Sequence, residues 1–491
     1  MELQILQKEY RNQYLATFIV QLTAFIFGIA VGFTGPNIQL FISDETPLKD
    51  GKLTPEQISW ITSLSPFGAI AFVFVYGWIS ERFGRKAAVL FIGIPQTLSW
   101  ILMALADNVT IIYISRLLCG IAGAGCFYVA PVYVAEISDK QIRGTLCSLF
   151  SIICSIGVFL EFFIAEYMDF RHAAIFVVIV SIIFVVGFWF MPESPLYLIS
   201  KRRFEEAENA FKFLRGQQPS EELSDAHLED FNLLKQIAEG SEKSESQWKV
   251  FKQHISQPGT IKGIFIAIVV AQFPIMSGSY VLVAYNQGIF KAANVSFLSV
   301  FWSSLAFAFI QIVAGICTAK YVDKIGRRII LISSSFATAL CLAIFGVYML
   351  LSTRTSMDLT SVSWIALVSL LVQIFVCCIG MVPVPNFYLT EILDQKVRGP
   401  IVSICSWWLW IAGFLVIKLY PSFEESLGID TIMIFFAIAS CLCGIFTMVY
   451  LPETKGRDIE EIARSFGRTQ ETKNIVKCND DKLLSGQNEL I

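Results

Sequence analysis

Charge is what this sequence has least of. Asp, Glu, Lys and Arg make up 16% of its 491 residues, against about a quarter in soluble globular chains. The formal net charge of −3 is too small to draw a polyanion, so no nucleic-acid partner is expected. Histidine occurs three times, in no metal-like spacing with the twelve cysteines. Most of those cysteines sit in apolar runs (Cys119, Cys154, Cys377, Cys378, Cys441, Cys443), where a thiol behaves as a small hydrophobe. A disulfide framework, a metal and a cofactor are therefore not expected. No nucleophile–base set converges, which argues against an enzyme. A cleavable leader is also missing: the N-terminus is short and charged, and the first apolar run is too long for one.

What is present is apolar surface. Hydrophobic residues make up 55% of the chain, with 42 phenylalanines, so the solvent of this protein is lipid. About 20 apolar residues cross ~30 Å of hydrocarbon. Such runs fall near 15–41, 57–80, 87–106, 110–135, 144–168 and 172–191. Six more follow near 260–290, 297–319, 329–351, 362–390, 400–420 and 429–451. The expected organisation is an N-terminus (1–14), a six-helix half (15–191), a central loop (192–258), a second half (259–451) and a tail (452–491). The fold class is all-α, with twelve transmembrane helices in two six-helix halves. Basic residues gather after even-numbered runs: Arg82, Arg85 and Lys86; Lys140 and Arg143; Lys324, Arg327 and Arg328; Lys396 and Arg398. The positive-inside rule then makes those segments, both termini and the central loop cytoplasmic. In the loop, Phe204, Ala207, Phe211 and Leu214 share a helical stripe, which reads as an amphipathic helix or as a solvated linker.

The chain says several things twice. ERFGRK (Glu81 to Lys86) returns as DKIGRR (Asp323 to Arg328), PVYVAEI (Pro131 to Ile137) as PNFYLTEI (Pro385 to Ile392), and PESP (Pro192 to Pro195) as PETKGR (Pro452 to Arg457). The three offsets are 242, 255 and 260 positions, in the same order along both halves. Three ordered coincidences mean duplication, the plan of carriers whose substrate site lies between two repeats. Gly84 and Gly326 allow tight turns between neighbouring spans.

With these motifs, the sequence resembles the sugar-porter, glucose-transporter-like branch of the major facilitator superfamily over nearly its whole length; the flavour is that of insect trehalose and hexose facilitators. The resemblance implies a plasma-membrane carrier of a sugar or similar small polar solute, with lipid as its other partner; the oligomeric state stays open. It also implies cytoplasmic gate ion pairs among Glu81, Arg82, Arg85, Glu136, Arg143, Glu193, Asp323, Arg327, Arg328, Glu391, Arg398, Glu453 and Arg457. Isolated surface pairs are worth ~0–1 kcal/mol, but a network joining two rigid halves can bias a two-state equilibrium. Substrate would meet Phe27, Gln311 and Trp410. At other positions this chain departs from the family: Pro274, Ile275 and Tyr280 replace the usual span-7 amides, and Ser151, Asn386 and Cys378 stand where glutamine, tryptophan and an acid are usual. Gln272, Ser279, Tyr280, Tyr285 and Asn286 are the replacements on offer.

Proton-coupled relatives carry an aspartate in span 1 facing an arginine in span 4. Here Ala30 takes the first position and Arg116 keeps the second, which favours downhill uniport over symport; a non-transporting sensor is a further reading. Arg116 and Glu161 lie at matching depths, ~9–10 Å below the outer ends of consecutive spans. They are expected to pair, or Glu161 reaches the outer surface and, if it titrates, reopens proton coupling. Sequons at Asn108 and Asn294 and a dileucine-like DDKLL (Asp480 to Leu484) complete the reading.

Overall fold

Among the described residues, twelve helices are long and apolar enough to cross a membrane; a helix satisfies its own backbone within the segment, as lipid demands. The computed structural model describes residues 2–139, 141–218, 225–242, 258–295, 298–355, 360–393 and 395–455. The spans are 1 (Tyr10–Ile42), 2 (Pro55–Phe83), 3 (Arg85–Ala104), 4 (Val109–Ile137), 5 (Arg143–Tyr167), 6 (Phe170–Trp189), 7 (Ile261–Ala284), 8 (Val300–Val322), 9 (Arg327–Arg354), 10 (Trp364–Leu389), 11 (Gly399–Leu427) and 12 (Ile429–Tyr450). Among the described residues all regular structure is helical. Arg457 and the DDKLL stretch lie outside the described residues.

Polar side chains set where several spans begin. Thr54 and Gln57 form a capping box at the start of span 2, followed at once by Pro55. Asn108 caps span 4 by accepting from the Ile111 amide, Asp169 caps span 6, and Ser299 caps span 8. Apolar side chains such as Phe18, Phe74, Ile179, Phe435 and Leu442 remain on the outside of the bundle. In water they would be a liability, but against lipid they cost nothing.

The two halves meet along span 2 with span 11 and span 5 with span 8. The Ser59 hydroxyl donates to the Lys418 carbonyl across the first seam at 2.8 Å. Trp410 of span 11 reaches into the apolar core of the first half.

Span 1 starts earlier than its apolar run. Asn12 donates to the Phe213 carbonyl at 2.6 Å, and Gln13 accepts from the Asp139 amide at 2.9 Å. This turn of the helix is spent on the loop helices rather than on lipid. Those helices are Pro195–Ser200, Phe204–Leu214 and Asp225–Glu242. Leu198, Ile199, Ala207, Ala210, Phe211 and Phe231 form a small core of their own. Phe204, counted on the same stripe, is exposed.

Arg215, just after the second loop helix, pairs with Asp139 in the segment between spans 4 and 5. Burial raises the Asp139 carboxyl, but the Gln141 amide and Arg215 outweigh it and hold the group below its usual range. Its contribution is therefore present at neutral pH and lost only as the pH falls below the ordinary carboxylate range. Asp139→Asn is expected to expose the loop helices, seen as several-fold faster limited proteolysis between residues 200 and 260 of the purified protein.

Candidate functional site

Each half ends its repeated motifs in the same clamp. In the first, Gly84 joins spans 2 and 3 at φ +105°, and a Cβ there would lie 2.1 Å from Glu193 Oε2. Glu193 fills that space and accepts from the amides of Arg85 at 3.0 Å and Lys86 at 3.0 Å. Arg85 in turn grips Glu136, with Nε at 3.0 Å and Nη2 at 2.9 Å. Tyr133 closes the ring by donating to the Pro192 carbonyl at 2.9 Å. The second half repeats each part. Gly326 turns at φ +108° beside Glu453, which accepts from the Arg327 amide at 3.1 Å. Arg327 Nε lies 3.3 Å from Glu391, and Tyr388 donates to the Pro452 carbonyl at 3.1 Å.

These carboxylates accept from the exposed amides at a helix N-terminus, where the dipole favours negative charge. Burial nonetheless pushes the Glu193 carboxyl above its usual range, against the pull of three backbone amides and Arg85. Both pairs are half-buried or deeper, so they are worth more than exposed pairs and are costly to break singly.

The Arg85–Glu136 and Arg327–Glu391 pairs each join elements of one half. Arg143 donates instead to the Ser138 carbonyl, and Arg328 to the Met448 carbonyl. Arg82 lies over the rings of Trp78 and Phe83. Glu81 is exposed. The side chains of Asp323 and Arg398 are not among those described. Tyr133 and Tyr388 were missed as partners. Their signal was their presence in both copies of one motif.

Where span 11 meets the first half lies a group of aromatic rings. Phe27 and Trp410 stand edge to face at 6.4 Å, with Phe127 between them at 5.3 and 5.5 Å and Phe150 beyond. A Cβ on Gly123 would strike the Phe27 ring, so only glycine lets this cluster form. Gln272 and Gln311 are buried, and neither amide of Gln272 nor the Gln311 Nε2 has a partner. An orphaned buried amide is expensive unless something visits it.

Tyr280 is half-buried beside Gly413 of span 11. Ser279 was expected to face substrate, but its hydroxyl donates to the Pro274 carbonyl at 3.0 Å. Ser151 and Asn386 are exposed, apart from this buried group. Sequence patterning could not single out Phe127 and Phe150, since aromatics inside an apolar run look like core.

Three spans break here. Span 7 is interrupted at Ser277 and Gly278, where Gly278 takes φ +71°, and again at Tyr285. Span 10 stops at Ile379 and restarts at Val384 across Gly380 to Pro383. Span 1 turns at Phe33. Pro274, Gly278, Pro383 and Pro385 were the legible signals. On the face away from the clamps, the end of span 1 (Thr34–Ile42) packs on the end of span 7 (Ser279–Ala284 and Asn286–Ala292), so the two halves meet there.

The expected Arg116–Glu161 ion pair is not made. Arg116, 3% exposed, donates to the carbonyls of Ala30 at 2.7 Å and Ile61 at 3.2 Å. Its guanidinium lies 5.4 Å from the Phe33 ring centre. Glu161, 2% exposed, accepts from Asn37 at 3.2 Å instead. Backbone carbonyls of spans 1 and 2 take the arginine's hydrogen bonds in place of the carboxylate.

The family model for sugar (and other) transporters matches residues 16–466. The facilitated trehalose transporter Tret1 of Bombyx mori is 27% identical over 457 residues, 92% of this chain and 86% of its own. Tret1 of Apis mellifera ligustica is also 27% identical, over 93% of this chain and 88% of its own. Among solved structures, the proton:xylose symporter XylE bound to 6-bromo-6-deoxy-D-glucose superposes with a TM-score of 0.74 at 20% identity, covering 93% of this chain and all of that one. XylE from E. coli in a partially occluded inward-open form gives 0.72 at 19% identity, over 91% of this chain and 100% of that one.

The clamps yield a direct test. Gly84→Ala and Gly326→Ala force a side chain into a left-handed turn and onto a carboxylate. Each should cost about 1–3 kcal/mol, read as a lower melting temperature of the detergent-purified protein, while Gly144→Ala, where a Cβ meets nothing, leaves it unchanged.

Proposed function

Because this chain belongs to the sugar (and other) transporter family of the major facilitator superfamily, and is a transporter rather than an enzyme, we propose that it is a facilitative uniporter of a sugar, either a hexose or a trehalose-like disaccharide. The observation that carries the uniport reading is the satisfaction of Arg116. Its guanidinium rests on two backbone carbonyls and an aromatic ring, so no carboxylate on span 1 has to load and release a proton opposite it. The sugar reading is supported by the trehalose carriers at 27% identity over most of both chains, by the aromatic rings where span 11 meets the first half and by the buried, unsatisfied amide atoms of Gln272 and Gln311. Phe27 and Trp410 offer faces to the C–H side of a sugar ring, and Gln272 and Gln311 offer amides to its hydroxyls.

The clamp-bearing face is the cytoplasmic one on this reading, with both termini inside a plasma membrane. The two halves, 15–191 and 259–451, rock about the seams of spans 2, 11, 5 and 8. The present arrangement has the outer face closed, and each clamp stiffens its own half as a lever. When the cytoplasmic face closes, the same basic and acidic ends approach across the halves and can exchange partners there.

Symport remains the second reading because Glu161 keeps a carboxylate within the span-5 segment. Uptake of labelled glucose, fructose and trehalose into proteoliposomes, with and without an imposed pH gradient, separates the two. Saturable uptake that ignores the gradient is expected; gradient-driven accumulation would select symport, and no uptake by folded protein would remove the transport of these sugars. Gln311→Ala should raise the half-saturation concentration roughly 2- to 10-fold, the worth of one hydrogen bond, with a smaller effect on the maximal rate.

A further inference from the structure

Asn37 and Glu161 make a contact that the binding of a sugar does not require. The turn at Phe33 makes Thr34–Ile42 a separate outer segment of span 1. Asn37, on its first full turn, is 6% exposed. Its side-chain amide donates to the Phe33 carbonyl at 2.8 Å and to Glu161 Oε1 on span 5 at 3.2 Å. Both protons of that amide are thus used. Asn37 and Glu161 also line a cavity of about 30 Å³, walled by Phe33, Trp100 and Phe170. That is room for a water molecule or two, so a competing hydrogen-bond partner for either group is at hand. From the other side, Arg116 fixes the start of the turn through the Ala30 carbonyl.

The same outer segment closes the outer face. It packs on span 7, and a Cβ on Gly35 would lie 3.8 Å from the Cβ of Asn286 and 3.3 Å from the Phe162 ring of span 5. Span 5 therefore holds the segment by Asn37 and Phe162 at the point where it touches Asn286. A carboxylate at this depth is expensive to insert, yet the arginine in the same cluster is satisfied by carbonyls. What the carboxylate visibly does is hold Asn37.

We propose that the Asn37–Glu161 hydrogen bond is the latch of the outer gate: it keeps Thr34–Ile42 against span 5 in the position that meets span 7, and it must break for the outer face to open. The proposal rests on the alternating-access reading above. Glu161 is a positioning residue, acting through Asn37 and not on the solute. Opening is a change of population between two states, so weakening the latch enlarges the outward-open fraction and tightens apparent affinity from outside.

The test uses the full chain in proteoliposomes, with Asn286→Cys as reporter and a membrane-impermeant maleimide added outside; the chain without the reporter gives the background. Adding Asn37→Ala, which leaves every charge in place, should speed labelling roughly five- to tenfold and lower the external half-saturation for labelled glucose by a similar factor. Glu161→Ala should act alike. Glu161→Gln, whose carbonyl still accepts from Asn37, should label at close to the parent rate. A merely structural lesion would lower the yield of folded protein in all three without separating alanine from glutamine. Asn37→Ala labelling at the parent rate would overturn the latch. Should that variant not fold, equal rates for Glu161→Ala and Glu161→Gln would overturn it. If the chain without the reporter moves no glucose, the transport reading falls for that sugar, and labelling still decides the latch.

Discussion

Hydrocarbon offers a peptide group nothing to bond with, and the rest of this structure follows from that constraint. A continuous helix meets it by bonding to itself, so the chain is helical wherever it faces lipid. A carrier cannot be continuous helix throughout, because a rigid rod cannot open and close. The breaks in spans 1, 7 and 10 are where motion is affordable, and each has its freed polar groups answered from within. Arg116 takes the Ala30 carbonyl at the turn in span 1. Ser277 and Ser279 take the Pro274 carbonyl in span 7. Thr318 of span 8 takes the Cys378 carbonyl just before the break in span 10.

The same constraint explains why so few charges do so much. Away from the ends, a charged side chain within the bundle must be held by protein. Arg116 and Glu161 are so held, but by different partners, one by backbone and one by an amide. At the ends, charge is cheap, and the chain gathers it there in two matching sets. Glu193 and Glu453 receive backbone amides at the start of the next helix, and Arg85 and Arg327 carry the link on to Glu136 and Glu391. Each clamp thereby ties the helix ends of its own half together on that face.

Much of this was legible in the sequence, for a reason particular to membranes. A twenty-residue apolar run has one meaning in a chain this poor in charge, so the number of spans and their places followed from counting. The duplicated motifs fixed the two halves, and Gly84 and Gly326 announced their turns. The partner of Glu161 was not legible. Counting residues gives depth along a helix but not direction around it, and the carbonyls that claim Arg116 sit on two different helices, Ala30 of span 1 and Ile61 of span 2. Ser279 looked available because its type suited a sugar, while its hydroxyl already donates to the Pro274 carbonyl five residues earlier. Phe127 and Phe150 were hidden by the company they keep.

The clamps carry a consequence for how the protein comes into being. The first is complete once the chain has been made as far as Glu193, since Gly84, Arg85, Tyr133, Glu136 and Pro192 all precede it. The second waits for Glu453, beyond the last span. A ribosome feeding this chain into a membrane therefore delivers one half able to lock itself while the other is still being synthesised, and the second half stays unlocked until synthesis is nearly finished. A nascent chain cut short before Pro452 would keep the Arg327–Glu391 pair but would lack the Glu453 carboxylate for the Arg327 amide and the Pro452 carbonyl for Tyr388.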